Sequence, residues 1–196
     1  MSEEKMSTSV RMVFLSNLLE SKGIWDLLDA LVLLKQRGYL LICNIVGAET
    51  AEINKEKLFM EISKRGLDEV AIYKGCIYGD DKSKELDDAD IFVFPTYYQN
   101  ECFPLVLLEA MAHGLPCVAT NEGAITDIVE DGVTGFIAKK NCPEDLANKI
   151  SCLLRNDSLR QQMGIAGRNK YENKFTLERF EQNFVNCLNA VLADSK

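Results

Sequence analysis

Residues Ile91 to Thr120 read IFVFPTYYQNECFPLVLLEAMAHGLPCVAT, and this stretch decides the fold. Ile91 to Phe94 is a short apolar run stopped by Pro95, which reads as a fully buried strand. A polar loop follows, and a helix is then expected from about Phe103 to His113. Pro104 sits in its first turn and Gly114 is its stop signal. Cys117 to Thr120 is a second apolar run. Short apolar strands joined through a helix form the unit of a parallel sheet covered on both faces.

The same unit recurs on either side of this stretch. Upstream, strands are expected at Val10 to Leu15, Leu40 to Val46 and Val70 to Lys74, the last two ended by Gly47 and Gly75. Helices are expected at Ile24 to Arg37, closed by Gly38, and at Asn54 to Arg65, closed by Gly66. A short acidic helix is expected at Lys82 to Ala89. Downstream, Gly135 to Ala138 reads as a sixth strand after the Asp131-Gly132 turn. The pattern then becomes purely helical, with Pro143 to Leu154, Leu159 to Tyr171 and Leu177 to Ala193. Right-handed crossovers turn this order into a doubly wound, Rossmann-like α/β sheet of about six strands with a helical C-terminal segment. Ligands of such sheets bind in the crevice at the carboxyl ends of the strands.

The bulk properties set limits. A chain of 196 residues suits a single domain, expected over 10–196. Met1 to Ser9 is polar and reads as a disordered leader or cloning remnant. No apolar run has the length of a membrane span and no signal peptide opens the chain, so a cytoplasmic location is expected. Seven cysteines, an odd number with no Cys-x-x-Cys pair, suggest neither a disulfide frame nor a zinc site. A net charge of −8 argues against a nucleic-acid partner. Any anionic ligand must then be held by local positive features.

Two glutamates carry the site. Glu109 lies between Leu108 and Ala110 in a helix that looks apolar on nearly every side. Such a helix is expected to be buried, and a buried carboxylate is costly unless satisfied. Glu101 lies just before that helix, and the two are separated by about 9 Å of helix axis at about 1.5 Å per residue. The helix start between them offers amides to an anion. A carboxylate accepts hydrogen bonds from two neighbouring hydroxyls, so the layout suits a nucleotide sugar, with a hydroxyl-bearing ring at each end and a diphosphate between. Spacing alone also allows Glu101 to be an exposed loop acid and Glu109 a structural acid paired with a lysine or backbone amides. The loop after the first strand, Ser16 to Gly23, adds Lys22 at another helix start, where it suits an anion but taken alone reads more readily as a solvated lysine. The loop has no Gly-x-Gly-x-x-Gly fingerprint and no Gly-Lys-Ser/Thr, which argues against dinucleotide and P-loop sites.

From ECFPLVLLEAMAHGLPCVAT (101–120), FLSNLLESKG (14–23) and EDGVTGFI (130–137), the chain resembles retaining GT-B glycosyltransferases of family four. The resemblance runs from about Val10 to the end and covers only the C-terminal, donor-binding half of such an enzyme, without the N-terminal acceptor domain. It implies that Glu109 binds the donor's ribose hydroxyls and that Glu101 contacts the transferred sugar at the reaction centre. Lys22 then neutralises the diphosphate, with amides around Phe103 and Leu105 facing the phosphates or sugar. The segment from Tyr73 to Ile77, with Gly75, walls the base. No metal or other cofactor is implied, because basic side chains and helix amides offset the leaving-group charge. The implied partners are a nucleotide sugar, the missing acceptor domain and, for the intact enzyme, a membrane surface bound peripherally.

Several positions depart from the family pattern. Asn17 stands where arginine often forms a second phosphate clamp. Pro104 replaces a frequent glycine and lacks an amide hydrogen. A paired glycine reads Gly123-Ala124, and Asp127 replaces glutamate. Asn17 and Pro104 favour the runner-up, a non-catalytic nucleotide-binding or interaction domain on the same fold. His113, the sole histidine, is expected to serve the helix dipole at the helix end. Trp25, Phe92, Phe94 and Phe136 read as core. Phe180, Phe184, Cys187, Leu188 and Val191 form a helical stripe, read as core, or as partly exposed and prone to self-association where the acceptor domain is missing. Tyr97 and Tyr98 fit either the crevice or packing over a strand.

Overall fold

The structure is a computed structural model that describes residues 9–194. The leader expected over 1–9 therefore lies, but for Ser9, outside the described residues. Six strands form one sheet: β1 (Val10–Leu15), β2 (Leu41–Val46), β3 (Ala71–Gly75), β4 (Ile91–Phe94), β5 (Cys117–Thr120) and β6 (Gly135–Ala138). All pairings are parallel and the order is β3-β2-β1-β4-β5-β6. The direction of winding reverses between β1 and β4, so the crevice opens there.

The helices are α1 (Ile24–Gln36), α2 (Lys55–Lys64), α3 (Gly79–Asp87), α4 (Leu105–Ala112), α5 (Ile125–Ile128), α6 (Pro143–Leu154), α7 (Asp157–Lys174) and α8 (Leu177–Asp194). Side chains alternate between the sheet's faces. Met12, Phe14, Ile91 and Val93 join the core beneath α1, α2 and α6. Val13, Phe92, Phe94 and Ala119 join the core beneath α4 and α5. Both faces are covered, which is why the central strands β4 and β5 read as unbroken, fully buried apolar runs, while β1, β2 and β3 each admit a polar or charged residue, Arg11, Asn44 and Lys74.

Several sequence expectations change. Helix α3 runs from Gly79 to Asp87 rather than from Lys82 to Ala89, and α7 extends the expected Leu159 to Tyr171 to Asp157–Lys174. The helix bearing Glu109 starts at Leu105 rather than Phe103, with Pro104 extended as its N-cap at φ −72° and ψ 106°. Proline disfavours a helical conformation for the residue before it, which leaves Phe103 outside. Phe92 and Phe94 are core, whereas Trp25 and Phe136 only pack partly buried against its edge. The stripe on α8 is not core: Phe180, Phe184, Leu188, Val191 and Cys187 are exposed. Periodicity identifies an apolar face but does not say what covers it. Among the described residues no helix is long and apolar enough to cross a membrane.

Candidate functional site

The switch point brings together two loops that are distant in sequence. The loop after β1 leads through a 3-10 turn (Glu20–Lys22) into α1. The loop after β4 leads into α4. Because β1 and β4 are neighbours, Lys22 and Glu101 meet across 79 residues, with Nζ 2.5 Å from Oε2. Both side chains are nearly buried, at 14% and 10% exposure. The Tyr98 ring lies 4.4 Å from Lys22 Nζ, which places this tyrosine in the site. The Thr96 hydroxyl lies 3.3 Å from the Ser21 carbonyl and 3.4 Å from Glu101 Oε2. Tyr97 donates its amide to Ser21 O at 2.8 Å and so ties the two loops together.

Glycine is required at one point behind this pair. Gly123 has φ +50°, and a Cβ there would sit 1.7 Å from the carbonyl oxygen of Glu101. The next residue, Ala124, donates its amide to Cys102 O at 3.0 Å. The β5–α5 loop thus clamps the backbone on which Glu101 stands. Asp127, further along, is exposed.

Glu109 differs from its expectation. It is the fifth residue of α4 and its side chain is 36% exposed, not deeply buried. The helix is apolar in composition, but Leu105 is exposed one turn before Glu109 on the same face. The carboxylate is met by Lys82 of α3, with Nζ 2.6 Å from Oε1. Burial is thus reversed between the two acids, since Glu101 is the enclosed one. Neither α4 nor α1 has a side-chain cap at its start. The first amides of α4, from Leu105, precede its own hydrogen-bond ladder and face any ligand placed there. Phe103 is exposed, and its ring packs edge-on against Phe175 at 6.0 Å.

Several clefts lie around this centre. Glu109 lines one of about 320 Å³ between α3 and α4, together with Lys82, Leu105, Leu108 and His113. Another, of about 280 Å³, is lined by Ser16, Asn17, Gly47, Cys76, Lys82 and Val106, among others. A third, of about 330 Å³, is bounded by Glu49, Lys55, Phe59, Tyr73, Gly75 and Cys76. The Tyr73 hydroxyl donates to Gly47 O at 2.9 Å and fixes the partition between these last two. Gly75 ends β3 at φ +75° and accepts a hydrogen bond from the Gly47 amide at 2.9 Å. Asn17 is exposed on the wall of the cleft of about 280 Å³.

Sequence reasoning missed Lys82 and Thr96, and it left Tyr98 open between the crevice and packing over a strand. A signal existed for Lys82. It is the fourth residue of α3, near a helix start where the dipole disfavours a cation. His113 caps the end of α4, as expected, and its Nδ1 also lies 2.7 Å from Asp87 Oδ1, linking α4 to α3. All seven cysteines are free, and burial pushes the Cys43 and Cys117 thiols up to about 12. Among the described residues no group of three or more His, Cys, Asp or Glu side chains is placed to hold a metal ion.

A doubly wound parallel sheet with two lysine–carboxylate pairs at its switch point has the architecture of a nucleotide-binding domain. The chain belongs to the Glycosyl transferases group 1 family, which matches residues 2–170. The capsular polysaccharide biosynthesis glycosyltransferase CapM of Staphylococcus aureus is 28% identical over 192 residues, 93% of this chain and 47% of CapM. Sulfoquinovosyl transferase SQD2 of Arabidopsis thaliana is 37% identical over 105 residues, 52% of this chain and 20% of SQD2. The Anabaena HepE structure solved with UDP matches with a TM-score of 0.84 at 23% identity, over 93% of this chain and 49% of HepE. The C-terminal domain of the group 1 family protein LpcC from Francisella tularensis matches with a TM-score of 0.75 at 23% identity, over 86% of this chain and 87% of that domain. At these identities the structural likeness is one of fold. The chain spans about half the length of CapM and HepE.

Proposed function

We propose that this chain is the donor-binding half of a retaining glycosyltransferase that moves a hexosyl unit from a nucleoside diphosphate sugar to an acceptor hydroxyl. The observation that carries the reading is the arrangement at the switch point. Lys22–Glu101 lies just before the uncapped start of α4, and Lys82 meets Glu109 at its fifth residue. Glu109, half-exposed at the cleft, accepts the ribose hydroxyls. Glu101 orients the transferred sugar, held by Lys22 and by the loop that Gly123 clamps. Lys22 and the amides at the start of α4 offset charge on the departing diphosphate, so the scheme calls for no metal or organic cofactor. The base lies along Tyr73 to Ile77, beside Gly75. HepE was solved with UDP and with UDP-glucose, which supports a uridine donor as the first to try.

Half of the cleft and the acceptor site then belong to a further domain. The isolated chain binds nucleotide weakly and transfers nothing. The test is a calorimetric titration of UDP, GDP and ADP into the wild type and Glu109→Ala. One nucleotide is expected to bind the wild type and to lose most of its affinity in the variant. No binding by any of the three, or equal binding by both proteins, overturns the reading.

A second reading, a nucleotide-binding domain without catalysis, draws on Asn17 and Pro104. Asn17 is an uncharged side chain where a clamp is usual, and Pro104 offers no amide at the entry to α4. An intact protein that binds donor but neither transfers nor hydrolyses the sugar would establish it.

A further inference from the structure

The cleft between the β1 loop and α3 has one charged side chain in its lining, and it is not Lys22. The residues bounding the roughly 280 Å³ include Ser16, Asn17, Gly47, Val106 and Lys82, of which Lys82 alone carries charge. Lys22 lines none of this cleft and is held on Glu101 beneath the Tyr98 ring. The geometry points to Lys82 as the second cation of the donor's diphosphate subsite, supplied from α3 across the cleft from Asn17. This rests on the donor-binding reading above.

The chemistry suits the position. An ammonium has three donors and no acceptor, and a carboxylate has room for about four hydrogen bonds. Lys82 Nζ spends one donor on Glu109 Oε1 at 2.6 Å. Two remain for phosphate oxygens, while Glu109 keeps lone pairs for ribose hydroxyls. Lys82 is 26% exposed, so its head reaches the cleft without being enclosed in the protein. Val106, the second residue of α4, lines the same cleft, so that a phosphate held there lies close to a helix start as well as to a full charge. With a net charge of −8, a dianionic ligand gains little from the overall field and depends on such local cations. One lysine thus aligns the ribose acid and the phosphates as a unit. Its flexible stem also lets the charge follow the ligand, where a guanidinium on the β1 loop would be a fixed fork.

The experiment separates charge from scaffolding. Amide chemical-shift titrations with EDTA present measure the dissociation constants of the tightest binder among UDP, GDP and ADP, and of its parent nucleoside. They are run on the wild type, Lys82→Gln and Lys82→Arg. Lys82→Gln is expected to weaken the diphosphate about tenfold, the scale of one hydrogen bond to a charged group, and the nucleoside less than about twofold. Lys82→Arg, which keeps the charge, is expected to stay within about threefold of wild type. Unchanged diphosphate affinity in Lys82→Gln overturns the assignment. So does an equal loss for diphosphate and nucleoside, the mark of a residue that merely props Glu109. If Lys82→Gln fails to fold, a tenfold or greater diphosphate loss in Lys82→Arg, with the charge retained, likewise overturns it. If the wild type binds none of the three diphosphates, the donor reading itself falls and takes this one with it. Wild-type binding with an indifferent Lys82→Gln sinks only the role of Lys82.

Discussion

Replacing Lys22 by methionine removes the cation from Glu101 and from the faces of the Tyr98 and Phe94 rings, and keeps most of the aliphatic stem. In the wild type the charged atoms lie 2.5 Å apart on side chains only 14% and 10% exposed. At an effective dielectric near 20 the gross attraction is about 7 kcal/mol. Much of that offsets the desolvation of two ions, so the net value of the pair is far smaller. Breaking it from one side differs, because a carboxylate is left nearly buried without its partner, which costs about 3–5 kcal/mol. Here Thr96 remains 3.4 Å from Oε2 and some solvent reaches the acid, which places the expected loss near 3 kcal/mol. For a domain whose total stability is about 5–15 kcal/mol, that is a large fraction. Urea unfolding at pH 7 measures it as a lower midpoint at unchanged slope. The double variant Lys22→Met/Glu101→Gln has no stranded charge and is expected to recover at least half of the loss. A Lys22→Met cost under about 1 kcal/mol would mean that the pair behaves as a solvated surface pair. A double variant no better than the single one would show that the lysine stem, not the charge, matters. Either result refutes the account of an enclosed charge pair.

Three further outcomes are expected. Gly123→Ala drives a methyl into Glu101 O, so the clamp must open. A loss of about 1–3 kcal/mol in urea unfolding and a weaker nucleotide titration are expected, and an unchanged affinity would show that the clamp does not position Glu101. Phe180→Asp/Phe184→Asp alters side chains 65% and 56% exposed, so the unfolding midpoint moves by about 0.5 kcal/mol per site or less. Phenylalanines taken from a core would cost about 3–5 kcal/mol each. Burial, then Asp29 and Glu20, raise the carboxyl of Asp26 above its usual range. A raised folded-state value costs stability at neutral pH, and the cost fades as pH falls and the carboxyl protonates first in the fold. Asp26→Asn should therefore raise the thermal midpoint at pH 7 by an amount that shrinks toward acidic pH, and a gain constant with pH would sink this explanation.

Much of the fold is legible because its signals are local. Short apolar runs stopped by Pro95, Gly47 and Gly75 mark buried strands wherever they lie in three dimensions. The eight-residue spacing of Glu101 and Glu109 is set by one loop and one helix, so the sequence places both at the crevice. It does not say how enclosed each one is. Glu101, for which spacing also allowed an exposed loop position, is shut in by a loop from β1 and by Gly123 from the β5 side. Glu109, read as buried, stands on the rim, because the composition of α4 does not reveal which of its faces is left uncovered.

By itself the sequence determined the strands, the crossovers, the family and the two acids, since each depends on neighbours a few residues apart or on a motif. The tertiary structure alone decided the pairings. Lys22 reaches Glu101 across 79 residues and Lys82 reaches Glu109 across 27, because the sheet order sets β1 beside β4 and the crossover brings α3 against α4. It also left the stripe on α8 in solvent. Periodicity is a property of one segment, whereas partnership and burial depend on which other segments the fold lays against it.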